Sequence, residues 1–235
     1  MYNDITISIC VPAFNEEKNL AAAVEDLIFS LSSRVGYLEI IIVNDGSNDS
    51  TGIIANNLVK KYSEIQVINN SKNQGIGFCY KSALKKSSCS YFTWFPGDHE
   101  NSAQELVQCL GYLYDYDVVT THHRGFDKRS FNRRSISILY TCILNICFNL
   151  DLKYYNGLTV LPVSVLRSFP LRSTGFSLFA ENIIRALRRG CKLKELSAPL
   201  KLRESGKSKA FSCSSILRMI KDLVAIISNG YIVFK

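Results

Sequence analysis

Short apolar segments alternate with segments of helical periodicity over the first 120 residues, and this alternation limits the possible folds most. The predicted strands cover residues 5–11, 38–43, 65–68, 91–95 and 118–121. The predicted helices cover residues 16–31, 49–62, 75–86 and 101–114. Apolar strands that alternate with helices form parallel βαβ units, which are buried on both faces. We therefore predict an α/β fold with a mostly parallel central sheet and helices on both faces.

Three polar, turn-rich segments follow predicted strands at their carboxyl ends. They are PAFNEE after the first strand, NDGSNDST after the second and PGDHE after the fourth. Open α/β sheets bind ligands in the crevice beyond the carboxyl ends of their strands. The sequence therefore predicts a ligand site at this edge of the sheet.

Composition excludes several classes of protein. Hydrophobic residues make up 47% of the 235 residues and charged residues 20%, which allows a sizeable core and excludes wholesale disorder. No apolar run reaches the roughly 18–20 residues that span a bilayer. The N-terminus lacks a basic region followed by an apolar run, so we expect no signal peptide and a cytoplasmic protein. The eight cysteines include no C-x-x-C pair, and we expect small buried side chains rather than zinc ligands.

Charge is unevenly distributed along the chain. Residues 1–120 contain 8 Lys/Arg and 14 Asp/Glu, a net charge of −6, whereas residues 121–235 contain 20 Lys/Arg and 6 Asp/Glu, a net charge of +14. The basic half is suited to nucleic acid, to an anionic membrane surface or to a phosphorylated substrate, and net charge does not choose between them.

The acidic turn after the fourth predicted strand is a candidate metal site. In an extended segment Asp98 and Glu100 point the same way, and two carboxylates can hold Mg²⁺ or Mn²⁺, which in turn binds a diphosphate. The alternative is a solvated acidic turn. Asp45 and Ser47 offer hydrogen-bond groups for a base or ribose, although such Gly turns are also ordinary strand-to-helix loops.

Gly75 and Gly77 open the helix after the third predicted strand, and they let a ligand approach the backbone. Tyr80 stands where G-x-G-x-x-G needs its third glycine, and the chain contains no G-x-x-x-x-G-K-[ST]. Dinucleotide oxidoreductases and P-loop NTPases therefore lack their main motifs here.

The second half contains further predicted helices at residues 135–150, 179–189 and 214–227. The first and last are apolar on one face and too short to span a bilayer, so we expect them to pack on the sheet, form a homodimer or lie at a membrane interface. We divide the chain into a domain over residues 1–211 and a C-terminal amphipathic helix and tail over residues 212–235.

Seven stretches in collinear order carry a resemblance to a known family. They are VPAFNEEKNL, IIVNDGSNDST, NNSKNQGIGFCYKSAL, WFPGDHENS, NGLTVLPVSVL, FSLFAENIIRALRRG and LRESGKSKAFS. The chain resembles family 2 glycosyltransferases with the GT-A fold. Within them it is most similar to dolichol-phosphate mannose synthase and the bacterial polyprenyl-phosphate glycosyltransferases. The R-x-x-G-x-S-K segment makes the resemblance to this subgroup more specific.

The resemblance implies a set of site residues. For the nucleotide sugar these are Pro12, Ala13, Asn15, Glu16, Asp45, Ser47, Gly75, Lys81, Asp98 and Arg203. For the acceptor phosphate they are Arg124, Arg133, Ser137 and Lys209. Asp98 corresponds to the last Asp of the family's D-x-D, and Asp45 to the residue that contacts the base.

The sequence departs from the family pattern at three positions. Pro96 replaces the first Asp of D-x-D, so that Asp98 and Glu100 would hold the metal as D-x-E. Asn44 replaces the first Asp of D-D-G-S, and Lys153 replaces an Asp that commonly precedes the N/S-G step.

The resemblance implies an inverting transfer of a sugar from a UDP- or GDP-linked donor, with Mg²⁺ or Mn²⁺. A phosphate acceptor is already ionised and needs Arg and Lys clamps, which the basic half supplies. We therefore expect a polyprenyl phosphate acceptor, with the protein peripheral at the cytoplasmic membrane face. The alternative is a saccharide acceptor in cell-surface polysaccharide assembly, with Glu181 as general base.

Three other classes remain open. A nucleic-acid-binding module fits the positive charge, but the chain has no aromatic-basic motif of a known type, and we expect no nucleic acid partner. A sugar nucleotidyltransferase would carry a Gly-rich loop after the first strand, which PAFNEE lacks. An inactive relative that acts as a binding partner would account for Pro96. A homodimer or a membrane-protein partner is compatible with the apolar helices.

Overall fold

The computed structural model describes residues 1–124 and 131–199, together with residues 221, 222, 224 and 226 near the C-terminus. Within these residues, seven strands form one sheet in the order β3-β2-β1-β4-β6-β5-β7. The strands are β1 (Tyr2–Ala13), β2 (Val35–Asn44), β3 (Ile65–Asn69), β4 (Tyr91–Trp94), β5 (Val118–Arg124), β6 (Thr159–Pro162) and β7 (Leu193–Pro199). The helices are α1 (Leu20–Leu31), α2 (Thr51–Lys61), α3 (Ile76–Lys86), α4 (Ala103–Leu110), α5 (Phe131–Phe148), α6 (Val163–Arg167) and α7 (Ser177–Arg188).

Strand directions bring the carboxyl ends of six strands to the same edge. β1 pairs in parallel with β2 and β4, and β2 pairs in parallel with β3. β6 is antiparallel to both of its neighbours, β4 and β5, so β5 runs in the direction of β1. β7 is parallel to β5. The predicted α/β fold with a mostly parallel sheet is confirmed, and β6 is its one reversed strand among the described residues.

Burial explains why the strands of the first half were predictable. The β1 residues Ile7 and Ile9 and the β2 residues Ile40 to Val43 have no exposed surface, because helices cover the sheet. Removing a branched aliphatic side chain from water contributes about 1.5–3 kcal/mol. A run of such residues therefore favours a central strand of a parallel sheet.

Several helix boundaries differ from the sequence prediction, and three short elements were not predicted. α5 begins at Phe131 rather than at residue 135, and α6 is one of the elements that were not predicted. α1 begins at Leu20 rather than at residue 16, because residues 17–19 form a turn before the helix. α4 ends at Leu110, and Ser102 and Glu105 form a capping box at its start. α7 begins at Ser177, two residues before its predicted start. The strands β6 and β7 were not predicted, since β6 has only four residues and β7 alternates charged and apolar residues without a buried run.

α5 has one buried face and one exposed face. Tyr140, Leu144 and Phe148 belong to a second apolar cluster with residues of α7. Leu139 and Ile146 point away from it and are 61% and 82% exposed. The helix therefore packs on the domain and also offers apolar side chains at the surface. Within the described residues, no helix is long and apolar enough to cross a bilayer.

The cysteines give a prediction that is independent of function. Cys10, Cys79, Cys89 and Cys109 are buried, and burial raises the pKa of each thiol. Cys142 on α5 is exposed. Because the thiolate is the reactive form, brief alkylation at pH 8 should label Cys142 before those four cysteines, with peptide mass spectrometry as the measurement. Labelling of Cys109 before Cys142 would contradict the packing of α4.

Candidate functional site

The ends of β1, β2 and β4 are joined by backbone hydrogen bonds. The amide of Asp45, directly after β2, donates to Ala13 O at 2.8 Å. The amide of Gly97, after β4, donates to Pro12 O at 3.3 Å. A Cβ at Gly97 would lie 2.9 Å from Pro12 O, so the loop after β4 can approach β1 only with glycine at this position. The structure thus brings together the three polar segments that the sequence predicted to share one edge.

The loop after β1 is hydrogen-bonded to the loop after β2. The amide of Asn15 donates to Ser47 Oγ at 3.0 Å, and Asn15 Oδ1 accepts from the amide of Asn48 at 2.9 Å. Asn15 itself has a φ of 56°, in the left-handed region that asparagine tolerates. The amide of Glu16 donates to Thr51 Oγ1 at 2.8 Å. The predicted site residues Asn15, Glu16 and Ser47 therefore belong to one hydrogen-bonded unit.

The carboxylate of Asp45 is 4% exposed and binds the loop that leads into α3. Its Oδ1 accepts from Asn70 Nδ2 at 2.8 Å and from the amide of Gln74 at 2.9 Å. Its Oδ2 accepts from the amide of Gly75 at 2.8 Å. Asp45 therefore fixes the position of Gly75, which the resemblance places under the nucleotide. Whether the carboxylate also contacts a base stays a prediction.

The Asp45 charge also acts on the first turns of α3. Burial, and then the neighbouring carboxylate of Asp45, raises the pKa of the Cys79 thiol. Cys79 therefore stays a neutral thiol near neutral pH. Gly75 has a φ of 88°, which glycine adopts without strain, and this conformation directs the chain into α3.

Asp98 and Glu100 lie in a turn after β4. His99 between them has a φ of 58°, and Asp98 Oδ1 accepts from the amide of Glu100 at 3.2 Å. The assumption of an extended segment was therefore wrong, because the chain reverses here towards α4. Both side chains are half-buried.

His99 connects this turn to α1. Its Nε2 lies 3.4 Å from Asp26 Oδ2 on α1, and the same oxygen accepts from the amide of Ala103 at 3.0 Å. Across the described ranges, no three His, Cys, Asp or Glu side chains are grouped as a ready-made metal site. That Asp98 and Glu100 hold a metal together stays a prediction.

Glu181 on α7 is 1% exposed and bound to several donors. Arg185 donates to Glu181 Oε1 through Nε at 2.9 Å and through Nη2 at 2.6 Å. The amide of Ser173 donates to Oε2 at 2.8 Å, and the amide of Arg172 lies 3.1 Å from the same oxygen. This carboxylate forms a buried ion pair and holds a loop, and its role as a general base stays a prediction.

Lys81 on α3 lies close to Glu181. Burial lowers the pKa of the Lys81 ammonium, while the charges of Glu181 and Asp222 act in the opposite direction. Lys81 also lines a cleft of about 330 Å³ between α3 and the segment from Leu166 to Leu171. The predicted role of Lys81 at the nucleotide is not tested by this placement.

The predicted acceptor-phosphate residues are only partly within the described structure. Arg124 is the last residue of β5, at the same edge of the sheet as Asp98, and Arg133 lies in the first turn of α5. The side chains of these two arginines lie outside the described part of the chain. Ser137 is half-buried on α5. Arg203 and Lys209 lie outside the described residues.

Sequence reasoning missed residues whose role depends on tertiary contacts. Asn70 binds Asp45, Arg185 binds Glu181, and Asp222 binds the amides of Thr174 and Gly175. The i, i+4 spacing of Glu181 and Arg185 on a helix was a usable signal for their ion pair. Asn70 and Asp222 carried no comparable signal.

The comparisons with known proteins agree with this fold. The model of the glycosyl transferase family 2 matches residues 8–180, which include part of β1, all of β2 to β6 and part of α7. The chain belongs to this family. The match includes Asp45, Asp98 and Glu100, and it ends one residue before Glu181.

Two curated relatives have partial matches. An uncharacterised glycosyltransferase of Haemophilus influenzae is 27% identical over 116 residues, which are 49% of this chain and 45% of the relative. A dolichyl-phosphate beta-glucosyltransferase of Trichomonas vaginalis is 38% identical over 78 residues, which are 31% of this chain and 24% of the relative. The chain thus spans less than half the length of either relative.

Solved structures with the same fold cover nearly all of the chain. Glucosyl-3-phosphoglycerate synthase from Mycobacterium tuberculosis, in complex with Mn²⁺, UDP and phosphoglyceric acid, superposes with a TM-score of 0.71. The identity is 18%, and the match covers 95% of this chain and 79% of the synthase. The same enzyme with Mg²⁺ and UDP also has a TM-score of 0.71. These similarities show that the fold is that of nucleotide-sugar transferases.

Proposed function

We propose that the chain is a glycosyltransferase that moves a sugar from a nucleotide-diphosphate donor to a polyprenyl phosphate at the cytoplasmic membrane face. The observation that carries the proposal is the joined edge of β1, β2 and β4, where Asp45 fixes the loop into α3 and Asp98 follows Gly97 in the loop after β4. Membership of family 2 and the similarity to enzymes solved with UDP support the donor class.

The donor set of Asp98 and Glu100 fits Mg²⁺ or Mn²⁺. Such ions are commonly held by one or two carboxylates, and they keep positions for substrate phosphates and water. When bound, the ion would neutralise charge on the diphosphate leaving group. Asp98 and Glu100 would hold it, and the amide of Glu100 keeps the Asp98 carboxylate in place. The structures of the synthase with Mn²⁺ or Mg²⁺ support a divalent ion as the cofactor.

The burial and hydrogen bonding of Glu181 favour a phosphate acceptor over a saccharide acceptor. A general base must reach a proton of the acceptor, but both oxygens of Glu181 accept hydrogen bonds from protein donors and its side chain is buried. A phosphate acceptor is ionised near neutral pH and requires no such base. The dolichyl-phosphate beta-glucosyltransferase among the relatives supports the same acceptor class.

Backbone placement also supports an acceptor site at this edge. β5 runs parallel to β1, so Arg124 lies at the carboxyl edge of the sheet together with Asp98. β7 ends at Pro199 on the same edge, and the chain continues from there into the segment with Arg203 and Lys209. A phosphate at this edge would be bound by guanidinium and ammonium groups of the basic half.

The exposed face of α5 is suited to a lipid surface. It carries Ile138, Leu139 and Ile146, and residues 121–235 have a net charge of +14. Apolar side chains that insert between head groups, together with basic residues worth about 1 kcal/mol each near an anionic leaflet, can attach a protein to a membrane.

Sugar transfer to an extractable lipid is the decisive experiment. A thermal-shift screen of UDP, GDP, CMP and dTDP with Mn²⁺ first identifies the donor class. The matching labelled nucleotide sugar is then offered with polyprenyl phosphate, with soluble saccharides or with 3-phosphoglycerate. We expect label in the organic phase only with polyprenyl phosphate. Turnover of a saccharide alone, abolished in a folded Glu181→Gln variant, would overturn the lipid acceptor and make Glu181 the base.

Membrane attachment is tested separately by flotation. We expect the protein to float with anionic vesicles, less at high salt, and the double variant L139S/I146S to float less than wild type. Phe29→Ser on α1 is the matched control, because Phe29 is 86% exposed on another helix. Equal flotation of all three proteins would remove α5 from the membrane contact, and a dimer that depends on Leu139 and Ile146 would identify α5 as a subunit interface.

A further inference from the structure

Asp222 anchors the C-terminal helical residues to the body of the domain. Its side chain is 8% exposed, and its Oδ2 accepts from the amides of Thr174 at 3.2 Å and Gly175 at 3.1 Å. One turn later, Ile226 is buried in the apolar cluster of α5 and α7, whereas Lys221 and Val224 are exposed. The described part of this helix therefore has an inner face, and Asp222 is its polar contact.

The segment from Arg172 to Gly175 is held by two buried carboxylates. Glu181 accepts the amides of Arg172 and Ser173, and Asp222 accepts the amides of Thr174 and Gly175. Four successive backbone donors are thus satisfied by side chains from two different helices. A buried backbone donor that loses its acceptor is costly, so the position of this segment depends on both side chains.

This segment in turn packs against the start of α3. A Cβ at Gly77 would lie 2.6 Å from Thr174 C, so the backbones of α3 and the segment are in direct contact. Gly77 is two residues after Gly75, whose amide is held by Asp45. The α3 N-terminus is therefore fixed by Asp45 on one side and supported by the Asp222-bound segment on the other.

We propose that Asp222 is a positioning residue that couples the C-terminal helix to the nucleotide-binding edge through Thr174, Gly77 and Gly75. Displacement of the helix releases two amides of the supporting segment, and the α3 N-terminus loses its packing partner. Lys81 on α3 also indicates that Asp222 lies near this helix, because the charges of both Glu181 and Asp222 act on its ammonium group. The C-terminal helix would thereby control how firmly the donor is held.

Two substitutions separate the hydrogen bonds of Asp222 from its charge. Both amides bind the same oxygen, so Asp222→Asn can keep both contacts, whereas Asp222→Ala removes them. Lys221→Ala, an exposed neighbour, is the control. The measurement is amide hydrogen exchange. In Asp222→Ala we expect the exchange rates of residues 172–175, and also those of residues 74–79, to rise about tenfold. The β1 and β2 amides should be unchanged, and Asp222→Asn should resemble wild type.

Exchange that rises only in residues 172–175 would overturn the coupling and leave Asp222 as a local helix anchor. Gly77→Ala provides a second route if Asp222→Ala does not fold. It pushes on Thr174 from the α3 side, and it should raise exchange at residues 172–175. Unchanged exchange there would also contradict the proposal.

Nucleotide binding is the functional measurement, and it rests on the proposed function. We expect Asp222→Ala to weaken the binding of UDP or GDP, whichever binds with Mn²⁺, about tenfold. The substitution should also raise the KM for the donor more than it lowers kcat. Asp222→Asn should restore binding. Wild-type affinity in a folded Asp222→Ala variant would overturn the inference and leave the proposed function intact. If wild type binds no nucleotide, the proposed function fails, and the exchange experiment alone decides the coupling.

Discussion

Replacing Asp45 with asparagine is expected to weaken nucleoside diphosphate binding about tenfold and to lower the free energy of unfolding. The carboxylate accepts from Asn70 and Gln74 on one oxygen and from Gly75 on the other. An asparagine amide has only one acceptor oxygen, so in either orientation at least one of these part-buried hydrogen bonds is replaced by a donor that faces the NH₂ group. An unsatisfied buried donor costs about 1–3 kcal/mol, and about 1.4 kcal/mol corresponds to a tenfold change in affinity.

Calorimetry with UDP or GDP and Mn²⁺ gives the affinity, and thermal unfolding gives the stability. Asp115→Asn is the matched control, because Asp115 is an exposed aspartate outside the joined edge, and it should behave as wild type. Since Asp45 holds the loop of Gly75, we expect both quantities to change together. A stable Asp45→Asn variant with wild-type affinity would remove Asp45 from the donor site.

The first half of the fold could be predicted because each strand has a local signal. β2 contains a continuous apolar run that only a sheet covered on both faces can bury, and the polar turns at its end mark the site. The order of the polar segments then places them at one edge by topology alone. The structure places Pro12, Asp45 and Asp98 at this edge, and their roles towards a nucleotide or a metal stay predictions.

The contacts within the site could not be read from the sequence. The structure shows the Asp45 carboxylate hydrogen-bonded to Asn70, Gln74 and Gly75, which the sequence did not predict, and its contact with a base stays a prediction. These partners are about 25 to 30 residues away along the chain, and they become neighbours only when β2 and β3 pair. No periodicity or spacing in the sequence predicts such a hydrogen bond.

The second half of the fold was harder to predict because its strands have weak hydrophobic patterns. β6 is a four-residue strand that ends in Pro162, and β7 mixes Lys194 and Glu195 with apolar residues. Each is stabilised by its neighbours in the sheet rather than by a buried run of its own. The amphipathic pattern of α5 was correct, but a pattern alone did not distinguish the face that packs on α7 from the face at the surface.

Asp98→Asn is expected to lower kcat by about 10²–10³, which is the range for loss of one group that stabilises transition-state charge. The fold should survive, because the asparagine Oδ1 can still accept from the amide of Glu100 and keep the turn. The change therefore removes the negative charge with little change in shape. We expect its melting temperature to stay within about 2 °C of wild type, since the substituted group is half-buried and isosteric.

Glu100→Gln tests whether the second carboxylate shares the ion. If Asp98 and Glu100 are both ligands, the Mn²⁺ concentration for half-maximal activity should rise in Glu100→Gln while kcat at saturating Mn²⁺ recovers. Asp115→Asn, an exposed aspartate after α4, controls for the loss of one charge and should leave kcat and Mn²⁺ dependence unchanged. Unchanged Mn²⁺ dependence in Glu100→Gln would leave Asp98 as the one protein ligand in this turn. Full activity of Asp98→Asn, or of wild type in excess chelator, would refute the two-carboxylate metal site, because the turn after β4 would then hold neither the ion nor the diphosphate.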